Sequence, residues 1–284
     1  MNKREQTISI VTAFPDEVPA GGFEWWPLAS DVDFLGPWIS ESKAPGKPAP
    51  IEITDNLLAE FASLVPVDYV IPLVIDPERD GLAIVEFANR MGFLGFQMFV
   101  RPQNLVMELV DQWMDEILEI HDAMKLAAAI AEKRTSTLRK LIRIYPNRVV
   151  FTGRLNRHET PGREGRDKTQ SKDFETQQFK PGQSLVAARF VLGELINQKL
   201  LKTTAVGTTL ENGHLQPSIV AQSLLGMIWL QFMNSAADGR MRSCPVCGQV
   251  MNLIGKRPRK TCSDRCRKQL SLKNIAKKGR ASSR

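Results

Sequence analysis

The chain carries Cys244-Pro-Val-Cys247-Gly-Gln and, after fourteen residues that follow Cys247, Cys262-Ser-Asp-Arg-Cys266-Arg-Lys. These are all four cysteines of the 284-residue sequence. Four thiolates in two closely spaced pairs are the usual ligand set of a tetrahedral, structural Zn²⁺ site. An iron–sulfur cluster also takes four cysteines and is the alternative. We therefore predict a metal centre, with Zn²⁺ as its ion, at Cys244, Cys247, Cys262 and Cys266.

The residues around each cysteine pair predict how the site is built. Pro245 and Gly248 favour a tight turn, because glycine tolerates positive φ. Ser263 suits the start of a helix, and no Pro or Gly interrupts residues 265–278. Cys262 and Cys266 are four positions apart, so on a helix their sulfurs would project from one face. A turn, a short ribbon and a helix make a treble-clef-like zinc finger, which is the fold predicted for the C-terminal region.

Positive charge is concentrated at the same end of the chain. Residues 240–284 contain 14 Lys and Arg against one acid, a net charge of +13, whereas the first 239 residues carry −6. Such asymmetry is typical of proteins with a polyanionic partner, and we predict a nucleic acid, taken to be DNA. The residues predicted to contact it are Arg257, Arg259, Lys260, Arg265, Arg267, Lys268, Lys273, Lys277 and Lys278.

Two other interpretations of the basic end stay open. It can be a solvated tail that keeps the protein soluble. The finger can also be a protein-interaction module in which zinc only stabilises the C-terminal lobe. Binding of DNA that weakens strongly with salt would favour the nucleic-acid hypothesis over both.

The sequence predicts four regions and a fold that is mostly α with a small β-hairpin. Residues 1–151 form a mainly helical N-terminal region, and residues 152–182, which are polar and almost without aliphatic side chains, form a flexible linker. Residues 183–239 form a helix, a hairpin around Asn212-Gly213 and an apolar helix. Residues 240–284 are the finger and its basic tail.

This order of elements, and the cysteine motifs above all, resembles a known family. Cys-Pro-Val-Cys-Gly-Gln followed by Thr-Cys-Ser-Asp-Arg-Cys-Arg-Lys resembles the small bacterial fingers that end in Cys-Ser-x-x-Cys-Arg. The whole layout is similar to that of the ABATE/CGNR-type proteins, in detail over residues 240–284 and as a pattern before them. After Cys266 the chain has Arg267-Lys268-Gln269, where that family has Gly-Asn-Arg. The resemblance implies a bacterial, stress-linked regulator of transcription.

The clearest N-terminal helix is predicted to follow Pro102 and to run to about Lys133. Its apolar stripe starts with Leu105, Leu109, Trp113 and Ile117, which recur every fourth residue. A further helix is predicted to reach Ile144, with Pro146 ending it. The other face of the first helix is acidic: Glu108, Asp111, Asp115, Glu116, Glu119 and Asp122. The simplest interpretation is a solvated surface. The alternative is that this face docks the basic tail and masks it.

Several classes of protein are disfavoured by the sequence. The three histidines are scattered, and no combination of nucleophile, base and orienting group can be assembled, so we predict that the chain is not an enzyme. The longest apolar segment, 219–233, is too short and too polar to cross a membrane. Clustered cysteines without a signal peptide indicate a reducing, cytoplasmic location. The N-terminal region is left with a protein partner or a small ligand as its candidates.

Overall fold

The computed structural model describes residues 9–12, 17–18, 23–26, 38–41, 49–50, 57–64, 77–95, 98–100, 105–152, 172–176, 179–180, 182–211, 214–252 and 260–281. The helices are α1 (Leu57–Ser63), α2 (Pro77–Met91), α3 (Val110–Ala131), α4 (Thr135–Leu141), α5 (Ser184–Thr203), α6 (Leu224–Ala237) and α7 (Asp264–Ala281). The strands are β1 (Ser9–Thr12), β2 (Glu17–Val18), β3 (Phe23–Trp26), β4 (Trp38–Glu41), β5 (Ala49–Pro50), β6 (Met98–Val100), β7 (Leu105–Leu109), β8 (Ile142–Tyr145), β9 (Arg148–Phe151), β10 (Lys172–Glu175), β11 (Thr204–Glu211), β12 (His214–Ala221), β13 (Met241–Ser243) and β14 (Val250–Asn252).

Helices hold more of the described residues than strands do, as the mostly α prediction requires. In the described part of the chain the strands nevertheless form five small sheets, so the sequence predicted too few strands. The chain divides into two compact units. The first contains Met1–Val65, Val74–Leu118 and Leu195–Phe232, and the second contains Pro66–Leu73, Glu119–Glu194 and Met233–Arg284.

The first unit contains the predicted hairpin, formed by β11 and β12. Proline cannot donate a ladder hydrogen bond and is usually found on edge strands, yet β12, which contains Pro217, is the middle strand of the order β1-β12-β11. Pairing with β1 is parallel and begins at Ser218, opposite Ser9. The missing N–H of Pro217 therefore falls just outside the stretch that β1 pairs with.

An aromatic cluster lies in the core of the first unit. The ring centroids of Phe61, Phe87 and Trp113 lie 5.7–6.3 Å from one another, and all three side chains are buried. They come from α1, α2 and the first turn of α3. A second aromatic pair, Trp229 and Phe232 of α6, meets edge to face at 5.4 Å.

The clearest N-terminal helix was wrongly predicted over Leu105–Leu109, which form β7 instead. This strand pairs with β4 and β6 in an antiparallel sheet of order β3-β4-β7-β6, and the helix begins only at Val110. Glu108 consequently does not lie on a helix face. Its carboxylate is fully buried and accepts hydrogen bonds from the backbone N–H groups of Leu94 (2.9 Å) and Gly95 (2.6 Å) and from the Trp113 indole (2.8 Å).

The second unit contains an antiparallel sheet of order β10-β9-β8. The helix predicted to reach Ile144 ends at Leu141, and Pro146-Asn147 forms the turn between β8 and β9. The physical reason is visible in β8, where Ile142 is buried and Arg143 exposed. That alternation has the period of a strand and not that of a helix.

Part of the predicted linker is ordered in this sheet. Lys172–Glu175 form β10, which pairs with β9. The buried Phe174 ring packs edge to face against Phe190 of α5, with 6.3 Å between the ring centroids. The linker's residues 153–171, 177–178 and 181 lie outside the described residues. The division into 1–151, 152–182, 183–239 and 240–284 stays a prediction.

Three acidic residues of α3 are buried or paired, so they do not form the solvated face that the sequence suggested. In the first unit Glu116 is buried and forms an ion pair with Lys199, whose ammonium also lies over the Trp229 ring. In the second unit Glu119 pairs with Lys172. Asp122 is likewise buried and lies 3.6 Å from Lys125. These three carboxylates have partners within their own units, so they are not free to dock the basic tail as the masking hypothesis requires.

Candidate metal centre

The first cysteine pair lies on a turn that follows β13. Cys244 N–H donates to the Gln249 carbonyl at 2.8 Å, and Gly248 N–H donates to the Cys244 carbonyl at 2.9 Å. Gly248 has φ +78°, the left-handed conformation that the sequence predicted for it. The strands β13 and β14 flank this turn as an antiparallel ribbon, with Ser243 opposite Val250. The predicted turn and ribbon are both present.

The second pair lies at the start of α7. The Ser263 hydroxyl accepts a hydrogen bond from Cys266 N–H (3.3 Å), and the Ser263 carbonyl accepts one from Arg267 N–H (2.9 Å). Ser263 is therefore the N-cap residue, and Cys266 lies in the first turn. Cys262 precedes the helix, so the expectation that both sulfurs project from one helix face was wrong. The Cys262 and Cys266 sulfurs still lie 3.5 Å apart.

The four sulfur atoms converge on one point. All lie within 4.8 Å of one another, and the Cys247 and Cys262 sulfurs are 3.3 Å apart. Disulfide-bonded sulfurs would lie about 2.05 Å apart, so these are free thiols. In a tetrahedral site with Zn–S bonds of about 2.3 Å the sulfurs lie about 3.8 Å apart, close to what is found. The four cysteines are placed to hold a metal ion.

The electrostatics of the thiols favour a cation at that point. Burial opposes ionisation of Cys244, but the backbone N–H groups of Cys247 and Cys262 outweigh it and lower the pKa of this thiol to about 6. Burial, reinforced by the sulfurs of Cys247 and Cys266, raises the pKa of Cys262 to about 12. The Cys244 thiolate therefore forms readily, whereas the surroundings of Cys262 oppose its ionisation. A metal ion reverses that opposition, because it stabilises every thiolate that it binds.

The metal centre is anchored to the turn between α3 and α4, in the same unit. Ser243, directly before Cys244, donates its backbone N–H to the Glu132 carboxylate at 2.8 Å. The Arg134 guanidinium donates to the Ser243 hydroxyl and pairs with Glu132. Between them Lys133 adopts φ +52°, which is unusual for a residue with a side chain. Sequence reasoning missed this anchor, because charged residues at a helix end give no signal of a partner 111 residues away.

The predicted nucleic-acid contacts are distributed along the segment that carries the second cysteine pair. The exposed ones are Lys260, Arg265, Arg267, Lys268 and Lys273. Arg267 forms a solvent-exposed ion pair with Asp264 at 3.2 Å. Lys277 and Lys278 belong to α7, but their side chains are not described, and Arg257 and Arg259 lie outside the described residues. The described cations surround the helix rather than forming one stripe.

Comparison with protein-family models, with curated proteins and with solved structures finds no match to this chain. The resemblance to the ABATE/CGNR-type proteins and the treble-clef assignment stay predictions. Among the residues that the structure describes, none of the helices combines the length and apolar content needed to cross a bilayer.

Proposed function

We propose that this chain is a zinc-binding protein that binds nucleic acid, DNA in the first instance, through its C-terminal finger and the basic helix α7. The observation that carries the proposal is the convergence of four sulfurs at the base of a cationic helix. A regulator of transcription is the class of protein that this combination, and the family resemblance, favours.

Support for zinc comes from the donor set. Four thiolates satisfy Zn²⁺ completely and leave no position for water or substrate, so the ion would have a structural role. Among the described side chains of residues 240–281, only Met241, Cys244, Thr261 and Cys266 are buried. Metal ligation would supply the free energy that holds the two halves of the finger together. Four cysteines also suit iron–sulfur clusters, which absorb visible light, whereas a zinc site is colourless.

Support for nucleic acid comes from the exposure of α7. From Asp264 to Ile275, among the side chains that are described, only Cys266 is buried and Leu270 half-buried. The helix extends for about 27 Å at 1.5 Å per residue. A cationic helix of that length fits the major groove of duplex DNA, which is about 12 Å wide, with phosphates within reach of its lysines and arginines.

The test is the salt dependence of binding to a short duplex, measured by fluorescence anisotropy. The variant Arg267→Gln/Lys268→Gln/Lys273→Gln should reduce the magnitude of the slope of log affinity against log salt by up to about 3, one counterion per lost contact. The control variant Arg139→Gln/Lys140→Gln/Arg143→Gln removes three exposed cations of the same unit that lie on α4 and β8. It should leave the slope unchanged. Equal slopes for both variants and wild type would contradict the proposal.

A protein-interaction module is the second candidate, and one observation favours it. Leu272 and Ile275 of α7 are 66% and 64% exposed, and their spacing of three places them on one side of the helix. A partner with an apolar groove could bind such a side. The variant Leu272→Ser/Ile275→Ser separates the candidates, since nucleic-acid binding should survive it and a groove partner should be lost.

A further inference from the structure

The four cysteines differ in their access to solvent. Cys244 and Cys266 are 2% and 7% exposed, whereas Cys262 is half-buried and Cys247 is exposed. The sulfurs of these two accessible cysteines are also in contact with one another. Their sulfurs are 3.3 Å apart, against 3.5 Å between Cys262 and Cys266. Access and proximity therefore coincide in one pair, Cys247 and Cys262.

We propose that Cys247 is an oxidation site and that a peroxide converts it and Cys262 into a disulfide that releases the metal. The proposal rests on the metal-binding part of the function proposed above. It adds a chemical signal, a two-electron oxidant, to which the finger responds.

The chemistry takes place in two displacements. The Cys247 sulfur attacks one oxygen of hydrogen peroxide, an S–O bond forms, the O–O bond breaks, and hydroxide leaves and is protonated to water. The Cys262 sulfur then attacks the Cys247 sulfur, the S–S bond forms, the S–O bond breaks, and a second hydroxide leaves as water. The two thiolates together lose two electrons, and the peroxide gains them.

Formation of the disulfide requires only a small movement. The two sulfurs must approach from 3.3 Å to about 2.05 Å. Two of the four ligands are then lost to the metal, and two thiolates do not fill a tetrahedral shell. Because the bond joins the first cysteine turn to the segment before α7, the finger stays covalently closed, and reduction regenerates the ligand set.

The turn around Cys244 does not depend on the metal for its place. Its backbone hydrogen bonds are internal, and Ser243 is held by Glu132 and Arg134. Metal loss is therefore expected to change α7 and the second cysteine pair while the first turn stays attached to its unit. Oxidation would act on the element that carries the exposed cations.

The experiment treats the full-length, zinc-loaded protein with hydrogen peroxide in the presence of a chromogenic zinc chelator, followed by peptide mapping without reduction. Zinc content is measured first. The expected result is release of the bound zinc together with a Cys247–Cys262 disulfide, and recovery of zinc binding after reduction. A Cys262–Cys266 disulfide, sulfinic acid at Cys247 without a disulfide, or retention of zinc would each overturn the proposal.

Two matched variants isolate the pair. Cys247→His and Cys266→His each leave three cysteines and one histidine, a ligand set that also holds Zn²⁺. Cys247→His should release zinc at least about tenfold more slowly than wild type, because the accessible thiol is gone. Cys266→His should still form the Cys247–Cys262 disulfide and release its zinc. Equal rates of release from the two variants would overturn the proposal.

A protein that holds no zinc from the outset would contradict the proposed function and not this inference. The same mapping then applies to the protein as purified, in which the fold itself would hold the thiols of Cys247 and Cys262 3.3 Å apart without a metal. Their pairing under peroxide is still expected, and a different pairing would still overturn the oxidation site.

Discussion

A single residue, Glu108, shows how burial and hydrogen bonding can overrule a sequence pattern. Its spacing from other acids favoured an exposed helix face. In the structure it is the penultimate residue of the apolar strand β7 and accepts hydrogen bonds from N–H groups of Leu94, Gly95 and Trp113. A buried carboxylate needs that many partners, because its hydration has been lost completely. The acid therefore fixes the segment 94–95 against the first turn of α3.

Replacing Glu108 with Gln should destabilise the first unit. The amide NH₂ group would face N–H donors and satisfy fewer of them, at a cost of about 2–4 kcal/mol in the free energy of unfolding. Chemical denaturation followed by circular dichroism measures the change. Glu86→Gln, at an exposed position of α2, is the control and should change the free energy by less than about 0.5 kcal/mol. Similar stabilities for the two variants would contradict the role assigned to Glu108.

The thiols of the metal centre predict how metal affinity changes with pH. Cys262, with its pKa raised to about 12, keeps its proton through the neutral range, so the metal must displace that proton whenever it binds. Cys244, with its pKa lowered to about 6, is already a thiolate above pH 6. The metal therefore competes with a proton for this sulfur only below about pH 6. Affinity should therefore fall as pH falls, and the slope of log affinity against pH should become steeper by about 1 below pH 6. Competition with a chromogenic chelator between about pH 5 and pH 8 measures the slope, and a constant slope would contradict the assignment of Cys244 as the first thiolate.

At the scale of elements, the finger consists of two parts with different support. The first part, β13 with the turn after it, is fixed by Glu132 and Arg134 and by internal hydrogen bonds. The second part, α7, is a polar helix with one buried cysteine in its first turn. Isolated polar helices are marginal in water, since most helical stability in proteins comes from packing. The metal would therefore matter far more to α7 than to β13.

The variant Cys262→Ser should lose the metal and protection of α7 while keeping the first turn. In hydrogen exchange, the amides of Cys244 and Gly248 should stay protected, and that of Arg267 should exchange at least about tenfold faster than in the zinc-bound wild type. Wild type stripped of zinc with a chelator is the matched control and should give the same pattern. Full retention of zinc by the variant would refute the four-ligand site. Loss of protection throughout the region would refute the anchor.

The elements that the sequence predicted well are those set by local chemistry. Gly248 adopts positive φ and Ser263 caps a helix, as each residue type indicated. The prediction failed where the local sequence does not determine the secondary structure. Leu105 to Leu109 are apolar enough to suit a helix or a strand, and it is pairing with β4 and β6 that selects the strand. The Glu132 anchor had no local signal at all, because it depends on a contact that only the folded unit creates.

At the scale of the whole molecule, charge is divided between an acidic body and a basic end. The sequence gives −6 for residues 1–239 and +13 for residues 240–284. The partners found for Glu116, Glu119 and Asp122 show that at least these negative charges are neutralised locally by lysines. The positive charges of Arg265, Lys268 and Lys273 are presented to solvent. These exposed cations would therefore attract a polyanion, and the paired carboxylates of α3 would repel it less than unpaired ones.

Glu116→Gln tests this view against the masking hypothesis. Removing one partner of a mostly buried ion pair leaves Lys199 uncompensated, so the free energy of unfolding should fall by about 3 kcal/mol. Affinity for duplex DNA should stay within about twofold of wild type, because Glu116 is already engaged by Lys199 and is not available to dock the basic tail. Denaturation and anisotropy titrations measure the two quantities. Tighter DNA binding with unchanged stability would restore the masking hypothesis.

The parallel pairing of β1 with β12 has a kinetic consequence. Ser9 lies opposite Ser218, more than 200 residues away along the chain. Closing so long a loop costs conformational entropy before any contact repays it, and pairings of high contact order are slow to form. The cysteine turn at 244–249, by contrast, closes over six residues. We therefore expect the last stage of refolding to be the pairing of β1 with its sheet and not the formation of the metal site. β1 can pair only after the hairpin of β11 and β12 has formed.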